Sequence, residues 1–531
     1  MAEQNADEVV YTLIPQPGIK RDGTQLEGEQ CSDGQWVRFQ RGKAIKMNGY
    51  KLISDMLTGP VRKILLWSRK DLNLLYSFSE SKIESLLLNN ELVGNDVTNR
   101  TPAGFTTSTK HIWSADTQYD EAVGTAGTIV VAHCSSSMEN MDDDTATKPV
   151  WALASSSSSQ FDEIDDAPAV SGGVFCIAPY TICYGSDGFV SWSDANQPQV
   201  WSTSTIPGDA GADRVTGSKI VAGLPLRAGR LAGLLWSLDS LIRMDYVGGN
   251  AIWSFAHIST QSSILSQNSV IEYDGVYYWI GVDRFMMYDS TLHELPNDLN
   301  QNWFFNHLNY QQRQKVWATK VPRYGEIWWF YPRDSATECT HAVIYNIRQK
   351  TWYDVELGRG AGYYSQVRQY PVWISSTKDY TANYWIGGGP EGGGEEVIED
   401  RYGLYQHEYG QNAIIGDVEI GIYSSYTTQN FGLPTGGVAD SQQGSNRWTR
   451  LTRVEPDFVQ GGYMTCEVLT NEFAHSTTVT SDAHIFTYQT EKIDLREQGR
   501  HIRLRFTNNT LNGNFEAGKV LVHTEPGDNR S

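Results

Sequence analysis

The chain is short of positive charge. Against 62 Asp and Glu stand 42 Lys and Arg, so 531 residues carry a formal net charge of −20. A nucleic-acid reader gains affinity from basic residues along the phosphates, and this balance argues against that class. It leaves open a channel through which nucleic acid slides without sticking. Cysteine is sparse: Cys31, Cys134, Cys176, Cys183, Cys339 and Cys466, the closest two seven residues apart. That spacing fits neither a disulfide scaffold nor a CxxC zinc knuckle or redox pair, and reduced thiols are expected. No apolar run approaches 18 residues, so no membrane-spanning helix is expected. Residues 1–8 lack the basic and apolar regions of a signal peptide, which points to synthesis in a cytosol.

Motifs that carry chemistry are missing too. Gly42-Lys43 runs into Ala44 without the upstream glycine of a phosphate loop. Gly185-Ser186-Asp187-Gly188 is one residue short of a nucleophile elbow. Eleven histidines include no HExxH, and Cys339-Thr340-His341 would need distant help to bind a metal. The acidic runs 141–144 and 162–166 lack the spaced oxygen ligands and glycine of a calcium loop. Ser186 to Trp192 has the residue types of a sialidase-type turn with the wrong spacing. A glycosidase would also need two facing carboxylates, roughly 5–10 Å apart, which nothing in the sequence selects. No catalytic, cofactor-binding or metal-binding residue is therefore expected, and no enzymatic activity.

What the chain has is aromatic residues and strands. It contains 17 Trp, 28 Tyr and 49 Gly, with few helical stretches. Residues 276–280, 285–288 and 291–295 form three short β-rich runs, and 326–330, 341–346 and 351–355 repeat the arrangement. Tyr288-Asp289 and Tyr345-Asn346 then occupy equivalent strand ends. Trp-Ser recurs at 67, 113, 192 and 236, while copies at 201 and 253 break the register. Units of about 40–50 residues with several strands each are propeller blades. Residues 49–410 have room for six to eight, and seven is favoured. A helix is expected over 299–309, with Leu299, Trp303, Phe304 and Leu308 on one stripe and Pro296-Asn297-Asp298 as its start signal. Segments 154–160 and 387–394 read as loops. After 410 the strands lengthen, which predicts a C-terminal β-sandwich or sheet platform over 411–531.

The expected fold is thus all-β, a propeller with a C-terminal sandwich, preceded by a docking segment over 1–48. Nine basic and five acidic residues between positions 20 and 63 give a local charge of +4. Arg21, Trp36, Arg38, Phe39, Arg41, Lys43 and Lys46 are the candidate interface: apolar anchors ringed by charge, suited to an acidic partner.

Residues 14–24 (Ile14-Pro15-Gln16-Pro17-Gly18-Ile19-Lys20-Arg21-Asp22-Gly23-Thr24) and 33–43 (Asp33-Gly34-Gln35-Trp36-Val37-Arg38-Phe39-Gln40-Arg41-Gly42-Lys43), with Met47-Asn48-Gly49-Tyr50, resemble the opening of a family of short-tailed bacteriophage structural proteins. Residues 220–227, 233–243 and 261–266 are similar to it as well. The family is that of the podovirus tail hub or nozzle, similar to the packaged-DNA stabilisation proteins. The resemblance implies a virion tail protein that forms a ring, usually of six copies, below the portal and its adaptor. Its partners would be further copies of itself, the portal adaptor, tail fibres or tailspikes, and double-stranded DNA passing without sequence-specific binding. Loops 387–394 and 141–166 are the expected gate. A carbohydrate-binding or carbohydrate-cleaving propeller is the alternative.

Overall fold

The computed structural model describes residues 8–24, 28–69, 72–88, 96–135, 146–155, 160–202, 208–227, 231–364, 369–386, 395–432 and 448–527. Six antiparallel four-stranded sheets follow one another along the chain. Their first strands are Val61–Arg69, Ile112–Tyr119, Gly173–Ile177, Ile220–Pro225, Ile271–Tyr273 and Trp317–Val321, here blades 1 to 6. Blade 7 begins with Arg359–Tyr363 and Val372–Ser375 and continues into Glu395–His407. Its fourth strand, Tyr50–Thr58, comes from the start of the chain, with Leu57 opposite Tyr402 and Lys51 opposite Gln406. The molecule is a seven-bladed β-propeller whose ring is closed by an early strand pairing with a late one.

Each blade packs against two neighbours, so both faces of its sheet must be apolar. Such strands read as unbroken hydrophobic runs rather than alternating ones. Glu326–Tyr331 in blade 6 shows the mechanism, since adjacent side chains of a strand point to opposite faces. Trp329 meets Phe285 of blade 5 at a ring separation of 5.6 Å. Its neighbour Trp328 meets Trp373 of blade 7 at 5.1 Å. Two consecutive tryptophans thus serve two different inter-blade cores.

The Trp-Ser dipeptides are not blade equivalents. Trp67 and Trp113 lie on first strands, Trp236 on a second and Trp192 on a third. The valid repeat is the one between 276–295 and 326–355, where Tyr288 and Tyr345 both sit on third strands. The helix spans Gln301–His307, shorter than 299–309, and a 3₁₀ segment follows at Tyr310–Lys315. Asp22, rather than a residue of the helix's own start signal, accepts the backbone N–H groups of Asn302 and Trp303 at 2.7 Å each. Phe304 and Leu308 are buried, whereas Trp303 leaves the expected stripe and lies under the guanidinium groups of Arg21 and Arg333.

Two further sheets form the sandwich. One contains Ile493–Gly499, Thr449–Gly461, Asn514–Pro526, Lys43–Lys46 and Val37–Gln40, with Val9–Leu13 also on Asn514–Pro526. The other contains Asp33–Gln35, Ser424–Thr427, His501–Asn508 and Met464–Asn471. Their inner faces share a core that includes Val454, Val522, Leu504 and Phe506. The N-terminal segment is therefore part of this sandwich rather than a separate docking arm. In turn, Asn412–Ile415 and Val418–Gly421 extend the blade 7 sheet. Gly49 lies against that hairpin so tightly that a Cβ would fall 2.0 Å from the Asn412 carbonyl oxygen.

Candidate functional site

Arg38 is buried and paired with Glu326 at 2.9 Å and Glu408 at 2.5 Å, its guanidinium over the Tyr324 ring. Phe39 packs on Tyr353 at 5.6 Å, and Trp36 is buried with its indole N–H donating to the Asn48 carbonyl. The buried Lys46 donates to Asn508, and burial pushes its ammonium down to about 8. Arg21 bridges Asp33 and Asp354. Lys43 reaches Glu516 at the surface, and Arg41 is exposed in a left-handed turn. The reading of this set as an external surface is corrected: Trp36, Arg38, Phe39 and Lys46 are consumed inside the chain, joining sandwich to propeller. The strand Val37–Gln40 is covered on both faces, so Val37, Arg38 and Phe39 are all buried, and Glu326 and Glu408 meet Arg38 there. The same holds for Arg62, which pairs with Glu80 and Glu338. The expected gate segment 387–394, and 141–145 and 156–159 of the other, lie outside the described residues.

The first strands of all seven blades surround an axial cavity of about 360 Å³. Six charged side chains line it: Arg62, Lys63, Asp116, Arg227, Glu272 and Lys320. At one end the turn Gln267–Ser269, between blades 4 and 5, crosses the axis. Gln267 donates to the Gly172 carbonyl, Asn268 to Trp113, and the preceding Ser266 to Val316. Those acceptors belong to or adjoin blades 3, 2 and 6, so the turn stoppers the channel. Towards the rim, Glu272 accepts from the Gly275 N–H at 2.8 Å and from Lys320 at 3.2 Å, with Arg227 at 3.7 Å. Burial works to raise the Glu272 carboxyl, but the N–H and the two cations outweigh it and hold it below its ordinary value. Deeper in, Asp116 accepts from the Thr117 and Cys176 N–H groups at 2.8 and 3.0 Å. Burial nevertheless raises its carboxyl, against the pull of Lys63 and Arg227. Lys63, pushed down by burial, has neither a hydrogen-bond acceptor nor a carboxylate within 4 Å among the described residues.

None of these lumen residues was singled out from the sequence. The available signal was a charged residue inside an apolar innermost strand, as in Val61-Arg62-Lys63-Ile64-Leu65-Leu66. Among the described residues no cluster of three or more His, Cys, Asp or Glu is placed to hold a metal. The thiols of Cys31, Cys176, Cys183, Cys339 and Cys466 are buried, which raises them far from thiolate character.

No protein-family model matches the chain, and no curated protein sequence does. Solved structures similar to it include an exo-β-1,3-galactanase from Phanerochaete chrysosporium, 9% identical, with a TM-score of 0.26 over 89% of this chain and all of that one. The WD40 domain of Toxoplasma gondii coronin is 8% identical, with a TM-score of 0.33 over 72% of this chain and 90% of that domain. At such scores neither carries an argument about activity, and the assignment of the fold rests on the strand order.

Proposed function

We propose that the chain is a structural component of a short-tailed phage tail, a nozzle or hub protein. Copies of it would form a ring below the portal and adaptor, retain packaged DNA and provide its exit path. The observation that carries this reading is the use made of residues 14–50, one of the stretches that resemble that family. They serve as a joint: strands of the sandwich, a cap for the helix at 301–307 and a buried ion cluster on blade 6. Residues employed this way mark a scaffold.

DNA would pass between copies and not through one. The axial cavity is equivalent to a sphere about 9 Å across, less than the ~12 Å width of the B-DNA major groove alone, and the turn at 267–269 blocks it. The net charge of −20 suits a wall that lets phosphates slide. The test is electron microscopy and native mass spectrometry of the purified chain with and without its adaptor. Closed rings are expected; a monomer at all concentrations, with and without adaptor, would overturn the reading.

A sugar-cleaving role is the second reading, favoured by one observation. Asp116 and Glu272 share a cavity, one carboxyl raised and the other lowered, the division of labour that glycosidases use. Polysaccharide hydrolysis abolished by both D116N and E272Q would establish it.

A further inference from the structure

Lys63 points its ammonium into the cavity with no hydrogen-bond acceptor or carboxylate within 4 Å among the described residues, under the field of Asp116. The Lys63 side chain is only half-buried, so the ammonium faces the cavity and is open to whatever fills it. The Asp116 carboxylate acts on it through space, and each Asp116 oxygen accepts one backbone N–H while keeping a lone pair free. Arg227, at the rim, lies no nearer than 3.7 Å to Glu272 and leaves much of its guanidinium exposed. The cavity therefore holds two cations with donors to spare inside a strongly acidic chain. Beside them are two carboxylates able to accept from hydroxyl groups, and the half-buried ring of Tyr363 forms part of the wall. Its volume of about 360 Å³ falls within the roughly 300–1,000 Å³ typical of small-ligand pockets. The turn at 267–269 makes it a blind pocket with a floor.

We infer that the propeller lumen is a binding site for a small polyhydroxylated oxyanion, a sugar carboxylate or sugar phosphate, seated by Lys63 and Arg227. The charged group meets the two cations, while Asp116 and Glu272 accept from hydroxyls and the Tyr363 ring packs on the sugar face. Arg62 and Lys320 line the same space but are spent, on Glu80 with Glu338 and on Glu272 respectively. The inference is independent of ring assembly, because the pocket lies wholly within one chain.

Isothermal titration of the full chain with glucuronate, glucose 6-phosphate, glucose and inorganic phosphate tests it. Glucuronate or glucose 6-phosphate should bind at least tenfold more tightly than glucose, and which of them binds identifies the anionic group. K63M should weaken that binding at least tenfold with an unchanged melting temperature. R227A, altering an exposed side chain, should weaken it several-fold and guards against a folding defect in the first variant. The site is refuted if neither sugar anion binds, or if glucose or inorganic phosphate binds as tightly as they do. Wild-type affinity in both variants would equally refute it.

Discussion

The propeller and the sandwich are both made of antiparallel sheet, yet they leave large apolar side chains exposed to different degrees. Trp113, Trp236, Trp279, Trp328, Trp329, Trp352 and Trp373 are all fully buried, and all lie in blades. Val459, Tyr488 and Ile485, the most exposed large apolar residues among those described at 73%, 72% and 68%, all belong to the sandwich region. A blade has a neighbour on each side, so the ring satisfies itself. A two-layer sandwich has only one inner face, and apolar residues beyond it must be covered by something else or left wet. The propeller thus behaves as a finished body and the sandwich as the part with surface to offer, in keeping with the proposed assembly.

The joint between them should be the most sensitive point. Arg38→Ala would leave Glu326 and Glu408 buried without their counter-ion, a loss of about 3–5 kcal/mol. Denaturant unfolding should show sandwich and propeller melting apart; a single unchanged transition would mean that the two never depended on this cluster. Trp329→Ala empties the core between blades 5 and 6 and should cost about 3–5 kcal/mol, confined to the propeller. Equal destabilisation of the sandwich would erase the distinction between the regions.

Acid should separate them next. His133 and His341 are held down to about 4, and His407 well below its ordinary value, by burial in blades 2, 6 and 7. Where the folded value is depressed, the unfolded chain binds more protons, so stability falls as pH drops from about 6.5 towards 4. Tryptophan fluorescence, dominated by the blades, should report an earlier acid transition than the sandwich shows by hydrogen exchange. H133Q/H341Q should shift it to lower pH, provided the double variant folds at pH 7. The smallest effect concerns the exposed set. V459S and I485S should change unfolding energy by no more than about 0.5 kcal/mol, while weakening self-association measured by sedimentation. Unaltered association would remove these two residues from the assembly surface.

Much of this architecture was legible in the sequence, for local reasons. The strand runs at 276–295 and 326–355 are short-range patterns, and each became three strands of a blade. The Trp-Ser recurrence misled because a tryptophan suits any strand facing a neighbouring blade, whichever its position within the sheet. Arg38 was legible as an anchor but not as a buried one, since Glu326 and Glu408 lie 288 and 370 residues away. The lumen charges were invisible for the same reason: only ring closure brings positions 63, 116, 227, 272 and 320 around one axis.

That closure also sets a timetable. Leu57 must wait for Tyr402, and the strands at 33–46 must wait for partners beyond residue 423. At roughly 5–20 residues per second, the 345 residues between Leu57 and Tyr402 take about 17–70 s to synthesise. Throughout that interval the strand Tyr50–Thr58, the fourth of the ring's final blade, has no sheet to join, and the half-sandwich stands open. A ribosome that stalls anywhere before residue 400 releases neither domain in closed form. The fold thus closes only when the last third of the chain meets the first sixty residues.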